Sequence, residues 1–331
     1  MTKPDSQTGE ANVAAPPVSG QLARFARSSK LLDWAIVLAL LAVMVVGGIA
    51  SPHFLTVANI TSILVASSIL IVVAIGQTFI IITAGIDLSV GSLVQVSSVM
   101  IGVAVTYKLG VPAGILMAIL MGTLFGVLNG VVVSKGKISD FIATLGMLSI
   151  ASGTALVLSN GRPVSVISPL LTSLASGSIG PFPNIALLAA TVAIIGHIVL
   201  FHTQFGTHLF AIGGNHEGSR NLGLKVGRIK VAAFAISGLL AGIAGIMLTA
   251  RIGSAEPATG SSYLLNSIAA SVLGGTSLFG GRGTILGPVI GALVLMALLN
   301  LMTLLGVGVF YQPIVTGSVV IIFAIAYRFQ K

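Results

Sequence analysis

Asp87 lies within Gly85-Ile86-Asp87-Leu88-Ser89-Val90-Gly91-Ser92, between two long apolar runs. An acid at or near membrane depth is costly and needs a partner or water. The glycines and serines beside it permit a broken helix, which is tolerated only where protein or a cavity covers the backbone. Two roles fit this segment. Asp87, Ser89 and Ser92 would supply polar groups to a translocation pathway, or Asp87 would cap the next helix by accepting backbone N–H bonds. One role does not exclude the other. A second polar stretch runs from Arg251 to Gly283, with Ser254, Glu256, Thr259, Ser261, Ser262, Asn266, Ser267, Thr276 and Ser277. Its hydroxyls and amide suit a path for a hydroxyl-rich solute, with Asn266, Thr276 and Ser277 as candidates. Its small residues suit close helix packing equally well.

The segment from Ala211 to Lys225 carries a different pattern. Gly213 and Gly214 fit a sharp turn. Asn215 fits the cap of a short helix that holds Glu217 and has Arg220 near its end, with Gly223 beyond. A loop this long fits a simply solvated connection, but its turn, cap and helix order reads more like a docking surface for a soluble partner. Gly122, Gly126 and Gly130 repeat every four residues, which reads as a helix-packing face.

Several chemistries are missing. No phosphate-binding G-x-x-x-x-G-K-[ST] segment occurs. His53, His197, His202, His208 and His216 form no metal-binding spacing. The chain has no Cys, which removes disulfides and thiolate chemistry. No G-x-S-x-G turn is present, and Gly280-Gly281-Arg282-Gly283 matches no dinucleotide fingerprint. The chain reads as a non-enzyme that holds neither metal nor cofactor.

The elements that must position these residues follow from composition. Hydrophobic residues make up 55% of 331 residues and charged ones 7%, against roughly 25% charged in a soluble domain. A membrane-spanning helix takes about 20 apolar residues. Ten apolar runs are present, at 34–50, 57–83, 88–106, 111–134, 141–158, 184–202, 231–250, 263–279, 284–305 and 310–327. The expected fold is therefore all-α and polytopic, with about ten transmembrane helices. Residues 1–30 read as a flexible tail and 31–331 as one transmembrane domain. The polar segment ahead of Trp34 is too long for a secretory signal, so the first run reads as an uncleaved span. The run at 263–279 is short and polar, and a re-entrant segment is its alternative.

Charge sets the orientation. With ten spans and a cytoplasmic N-terminus, Lys3, Arg24, Arg27, Lys30, Lys135, Lys137, Arg220, Lys225, Arg228, Lys230, Arg282, Arg328 and Lys331 lie inside. Only Lys108, Arg162 and Arg251 lie outside. This agrees with the cytoplasmic excess of Lys and Arg in membrane proteins. Both termini are then cytoplasmic, loop 203–230 is inside, and loop 159–183 is outside. The net charge of +9 has the same origin, and no basic–aromatic surface points to nucleic acid.

Several segments resemble the permease subunits of bacterial ABC sugar importers of the ribose, xylose and galactose type. They are Gly85–Ser92, Phe141-Ile142-Ala143-Thr144-Leu145-Gly146, the 211–223 loop, Ala250-Arg251 with Ser254-Ala255, and Leu273 to Leu278 with Gly280-Gly281. The similarity covers about residues 31–331. It implies an all-helical inner-membrane subunit, paired with a second copy or a paralogue and surrounded by lipid. A cytoplasmic ABC ATPase that binds ATP and Mg would dock at Gly213, Gly214 and Asn215. A periplasmic sugar-binding protein would deliver the solute. The chain departs from the pattern in places. Related permeases often carry acids after the tyrosine matching Tyr263, where this chain has Leu264, Leu265 and Asn266. Gly218 stands where Ala is usual, and Leu224 where Ile is usual.

The expected function is inward passage of a monosaccharide or polyol by alternating access, driven by ATP hydrolysis on a separate chain. The alternatives are an ion-coupled secondary transporter with Asp87 as its coupling acid, or an ABC permease for a non-sugar small solute.

Overall fold

The computed structural model describes residues 35–328. The 1–30 tail lies outside the described residues. Each apolar run within them folds as a helix. These are α1 (Ala35–Ala50), α2 (Val57–Ile82), α3 (Val90–Thr106), α4 (Val111–Gly136), α5 (Asp140–Ser159), α7 (Asn184–Phe201), α10 (Val226–Ile252), α11 (Ser261–Leu273), α12 (Leu286–Leu304) and α13 (Gln312–Arg328). Short helices α6 (Pro169–Ser176), α8 (Gln204–Gly214) and α9 (His216–Asn221) lie in the two long loops. Among the described residues six helices, α2, α4, α5, α7, α10 and α12, are long and apolar enough to cross a membrane. Among the described residues strands are confined to two clasps of two-residue pairs: β1 (Val164–Ser165) with β4 (Ser254–Ala255), and β2 (Ser178–Ile179) with β3 (Phe182–Pro183).

The bundle is built around α2. Every residue from Ser67 to Ile82 is buried, as expected of a helix that is apolar on all sides. Its most apolar stretch is 89% buried, against 22% for α5 and 28% for α7, so those two helices form the rim. Helix α10 packs along α4 through glycine. A Cβ at Gly122 would strike the carbonyl of Gly238, one at Gly126 that of Phe234, and one at Gly130 the Cα of Val231. Gly238 and Gly242 answer from α10 against Gly122 and Ala118. The four-residue glycine repeat of α4 is therefore a packing face.

Contacts sort the connections into two ends. At one end, Gly281 donates its N–H to the Ile82 carbonyl (2.9 Å) and Lys230 pairs with Asp140 (3.0 Å). Lys135, Lys137, Arg220, Lys225, Arg228, Lys230 and Arg282 belong to this end. At the other, Val166 N–H donates to the Gly253 carbonyl (2.9 Å). The Asn59 and Asn300 amides exchange two hydrogen bonds of 2.9 Å there. Lys108, Arg162 and Arg251 belong to that end.

The sequence run at 263–279 is shorter as a helix than as an apolar run. Helix α11 stops at Leu273, and residues 274–285 form turns. Thirteen residues rise about 20 Å, less than a hydrocarbon core of about 30 Å. The helix that follows loop 203–230 also begins earlier than its apolar run, at Val226.

Candidate functional site

The α2–α3 junction is a buried polar knot. Helix α2 ends with Ala84 in a left-handed conformation (φ 60°). Gly85 follows, where a Cβ would collide with the Asp140 carboxylate. Asp87 is fully buried. One carboxylate oxygen accepts from Ser89 N–H (2.8 Å) and Ser89 Oγ (2.6 Å), and the other from Ser237 Oγ on α10 (3.3 Å). In the amide orientation that matches donors to acceptors, Gln77 of α2 bonds both the N–H and the carbonyl of Asp87 (3.2 Å each). Asn129 of α4 donates to Ser89 Oγ (2.8 Å). Thr144 of α5 accepts from Leu88 N–H (3.0 Å), while its own hydroxyl proton is shared between the Asp140 carbonyl (2.7 Å) and the Ile86 carbonyl (3.3 Å). Ser92 Oγ donates to the Ser89 carbonyl (2.7 Å). Five helices are thus tied to one unwound segment. Burying a charge is tolerated only with such a complement of donors.

The cap position of α3 is Ser89, without a side-chain cap bond, so Asp87 does not cap the first turn and instead accepts the N–H of the cap residue two positions on. Asp87, Ser89 and Ser92 lie together, all within the protein interior. Asn266, Thr276 and Ser277 lie apart from them, on α11 and the turn after it. Thr276 is buried and its hydroxyl has no partner. Ser277 is half-buried and accepts from Phe279 N–H (3.3 Å).

A second unwound segment descends beside α3. From β4 onward the chain runs antiparallel to α3. A Cβ at Gly102 would meet Ala255, Glu256 N–H faces Ser98 Oγ (3.4 Å), and Gly260 presses on the Gly91 backbone and Gln95. Gln95 lies eleven residues before the end of α3 at Thr106, about 16 Å by helical rise. Helix α11 therefore begins deep inside the bundle. At its start Thr259, Ser261 and Ser262 are exposed and Asn266 is half-exposed. Polar groups exposed at that depth belong beside a water-filled path or another subunit, not beside lipid tails. Thr259, Ser261 and Ser262 were not distinguishable in sequence from the other small polar residues of this stretch. Their depth comes from the glycine contact between Gly91 and Gly260.

The 203–230 loop folds as α8 and α9. Thr203 caps α8, and Asn215 caps α9 by accepting Gly218 N–H (2.8 Å). Asn215, His216, Glu217, Arg220, Asn221, Leu222 and Gly223 are exposed. Leu222, an apolar side chain 86% exposed, is one the sequence pattern did not single out. Gly214 is exposed with open space around it, whereas Gly213 is pressed against the bundle. A Cβ there would strike the Ile82 carbonyl and the Gly281 N–H. Gly280 in turn sits against Ala84 and the Gly213 carbonyl. The α8–α9 corner thus touches the end of α2 five residues before Asp87. Gly223 takes a left-handed conformation (φ 85°), which turns the chain into α10.

Comparison with known proteins adds to this geometry. A family model described as branched-chain amino acid transport system / permease component matches residues 59–324. The chain is 38% identical over 313 residues to the ribose import permease protein RbsC of Escherichia coli, spanning 92% of this chain and 96% of that protein. It is 34% identical over 284 residues to the autoinducer 2 import system permease protein LsrC of Yersinia pseudotuberculosis, spanning 86% and 81%. It is 34% identical over 306 residues to a probable ABC transporter permease protein of Sinorhizobium fredii, spanning 92% and 90%. No solved structure matches the chain.

Proposed function

The chain belongs to the family of branched-chain amino acid transport system permease components, and from that premise we propose that it is the multi-pass inner-membrane permease of an ABC importer for a monosaccharide-type solute. The observation that carries this reading is the similarity to a ribose import permease along 92% of the chain. The polar residues at the deep start of α11 support a hydroxyl-rich cargo. Both termini lie on the cytoplasmic side, with the cationic end of the bundle. A periplasmic binding protein delivers the solute at the opposite end. The bundle works as a pair, with a second copy or a paralogue.

ATP and Mg are bound by a separate ATPase, which seats on the exposed face of α9 at Asn215, Glu217, Arg220 and Leu222. Motion there reaches the pathway through contact rather than chemistry. Gly213 bears on Ile82, and the segment that follows carries Asp87 and its five-helix network. Asp87, Ser89 and Ser92 act by holding the α2–α3 junction, while Thr259, Ser261, Ser262 and Asn266 face the solute. Moving such a two-state bundle from 1:99 to 99:1 takes about 5.5 kcal/mol of differential binding, which ATP and the ATPase supply.

An ion-coupled reading would need Asp87 to exchange its Ser89 and Ser237 donors for an ion. The test is uptake by proteoliposomes holding the permease with its co-purifying ATPase and binding protein. Labelled pentoses and hexoses enter only with ATP on the ATPase side. Uptake that follows an ion gradient and ignores ATP overturns the reading. Uptake of autoinducer 2 in place of sugars would keep the importer and change its cargo.

A further inference from the structure

At the cationic end of the bundle a cleft of about 470 Å³ lies along the α4–α10 contact. It is lined by Val131, Ser134 and Lys135 from α4 and by Gly227, Arg228 and Val231 from α10. The wall is apolar and small, and the rim carries two exposed cations. Gly227 helps keep the cleft open, since a Cβ there would come within 3.3 Å of the Ser134 side chain. Among the described residues neither Lys135 nor Arg228 has an ion-pair partner, whereas nearby Lys230 is committed to Asp140. Like charges beside one cleft repel unless an anion joins them.

A second feature of α4 leads into the same place. Leu116, Leu120, Leu124 and Leu128 recur every four residues and are 42–58% exposed. They form an outward ridge that points toward Lys135. From Lys135 back to Leu124, past Leu128, α4 rises about 17 Å, close to one leaflet of a hydrocarbon core about 30 Å thick. An apolar face that leads over one leaflet's length to a cationic cleft repeats the layout of a phospholipid. Basic pockets between membrane helices on the cytoplasmic side hold anionic head groups.

We propose that the α4–α10 cleft binds the head group of one anionic phospholipid, with phosphate between Lys135 and Arg228 and an acyl chain along the leucine ridge. Free phosphate shares the head group's charge but cannot use the ridge, so the lipid is the committed ligand. Its role is to hold the ends of α4 and α10 at a fixed depth, beside the α8–α9 corner.

The experiment is native mass spectrometry of the detergent-purified full-length permease, with whatever partner subunits accompany it. It is titrated with phosphatidylglycerol, with phosphatidylcholine of the same chains, or with inorganic phosphate. The wild-type chain should retain phosphatidylglycerol in preference to phosphatidylcholine, and inorganic phosphate should not displace it. The Lys135→Gln/Arg228→Gln variant should bind phosphatidylglycerol about thirtyfold more weakly, and Lys108→Gln at the opposite end should bind as wild type. Gly227→Leu keeps both cations but fills the cleft, and it should also weaken retention. Unchanged retention in the double variant or in Gly227→Leu overturns the proposal. So does equal retention of the two lipids, or displacement by inorganic phosphate. Loss of the ATPase rather than the lipid from the double variant would assign the cleft to a protein partner and overturn it as well.

Discussion

Replacing Asp87 separates a structural carboxylate from a reactive one. In Asp87→Ala the Ser89 N–H loses its acceptor at 2.8 Å, at a position fully buried in the protein. The Ser89 and Ser237 hydroxyls can turn toward other acceptors, but the backbone N–H cannot. An orphaned buried donor costs about 1–3 kcal/mol, and the emptied carboxylate volume adds to this. Relief from burying a charge offsets part of the loss. The expected net loss is about 3 kcal/mol. In Asp87→Asn the amide oxygen keeps the Ser89 N–H, and Ser237 Oγ turns from donor to acceptor toward the new NH2. Shape is retained and only charge assistance is lost, so the expected cost is about 1 kcal/mol. The assay is equilibrium unfolding in mixed micelles, paired with ATP-driven uptake. Asp87→Asn should keep uptake. If Asp87→Ala lies within about 0.5 kcal/mol of wild type, or if Asn costs as much as Ala, the network does not hold the junction. A stable Asp87→Asn chain without uptake would instead make the carboxylate a participant in transport.

Two further predictions concern packing and docking. Gly126→Leu or Gly238→Leu should abolish accumulation of folded protein, because each places a side chain against backbone of the facing helix. Gly153→Ala, with nothing within 4 Å of the new Cβ, should keep fold and stability, and a thermal unfolding series reads the contrast. Arg220→Glu combined with Leu222→Asp on the exposed face of α9 should weaken ATPase association by at least about tenfold. Monodisperse behaviour of the permease alone should be unchanged, and co-purification with the ATPase retained at wild-type levels would remove α9 from the contact.

The contact between Gly213 and Ile82 gives the proposed coupling route a concrete form. A rigid corner pressed on the end of a buried helix passes displacement on, because packed interiors yield little. Helix α2 sits at the centre of the bundle, so displacement at its end reaches every neighbour. The hydrogen bonds from Ser237, Asn129 and Thr144 bring α10, α4 and α5 along.

The amino-acid order alone fixed the helices, because membrane solvent demands that long apolar runs satisfy their own backbone. It also marked local chemistry: Asn215 as a cap, the Gly122–Gly126–Gly130 face as packing, and a cationic end. These depend on neighbours within a turn or two. What tertiary structure decided depends on partners far along the chain. Asp87 meets Ser237, 150 positions away, and Ser89 meets Asn129, 40 away. No spacing rule announces such pairs, so the sequence left Asp87 between a cap and a pathway. The run at 263–279 was ambiguous for the same reason. Its hydropathy is compatible with a crossing or a shorter helix. The close approach of Gly91 and Gly260 starts α11 at depth, after a segment of bends and turns that follows β4.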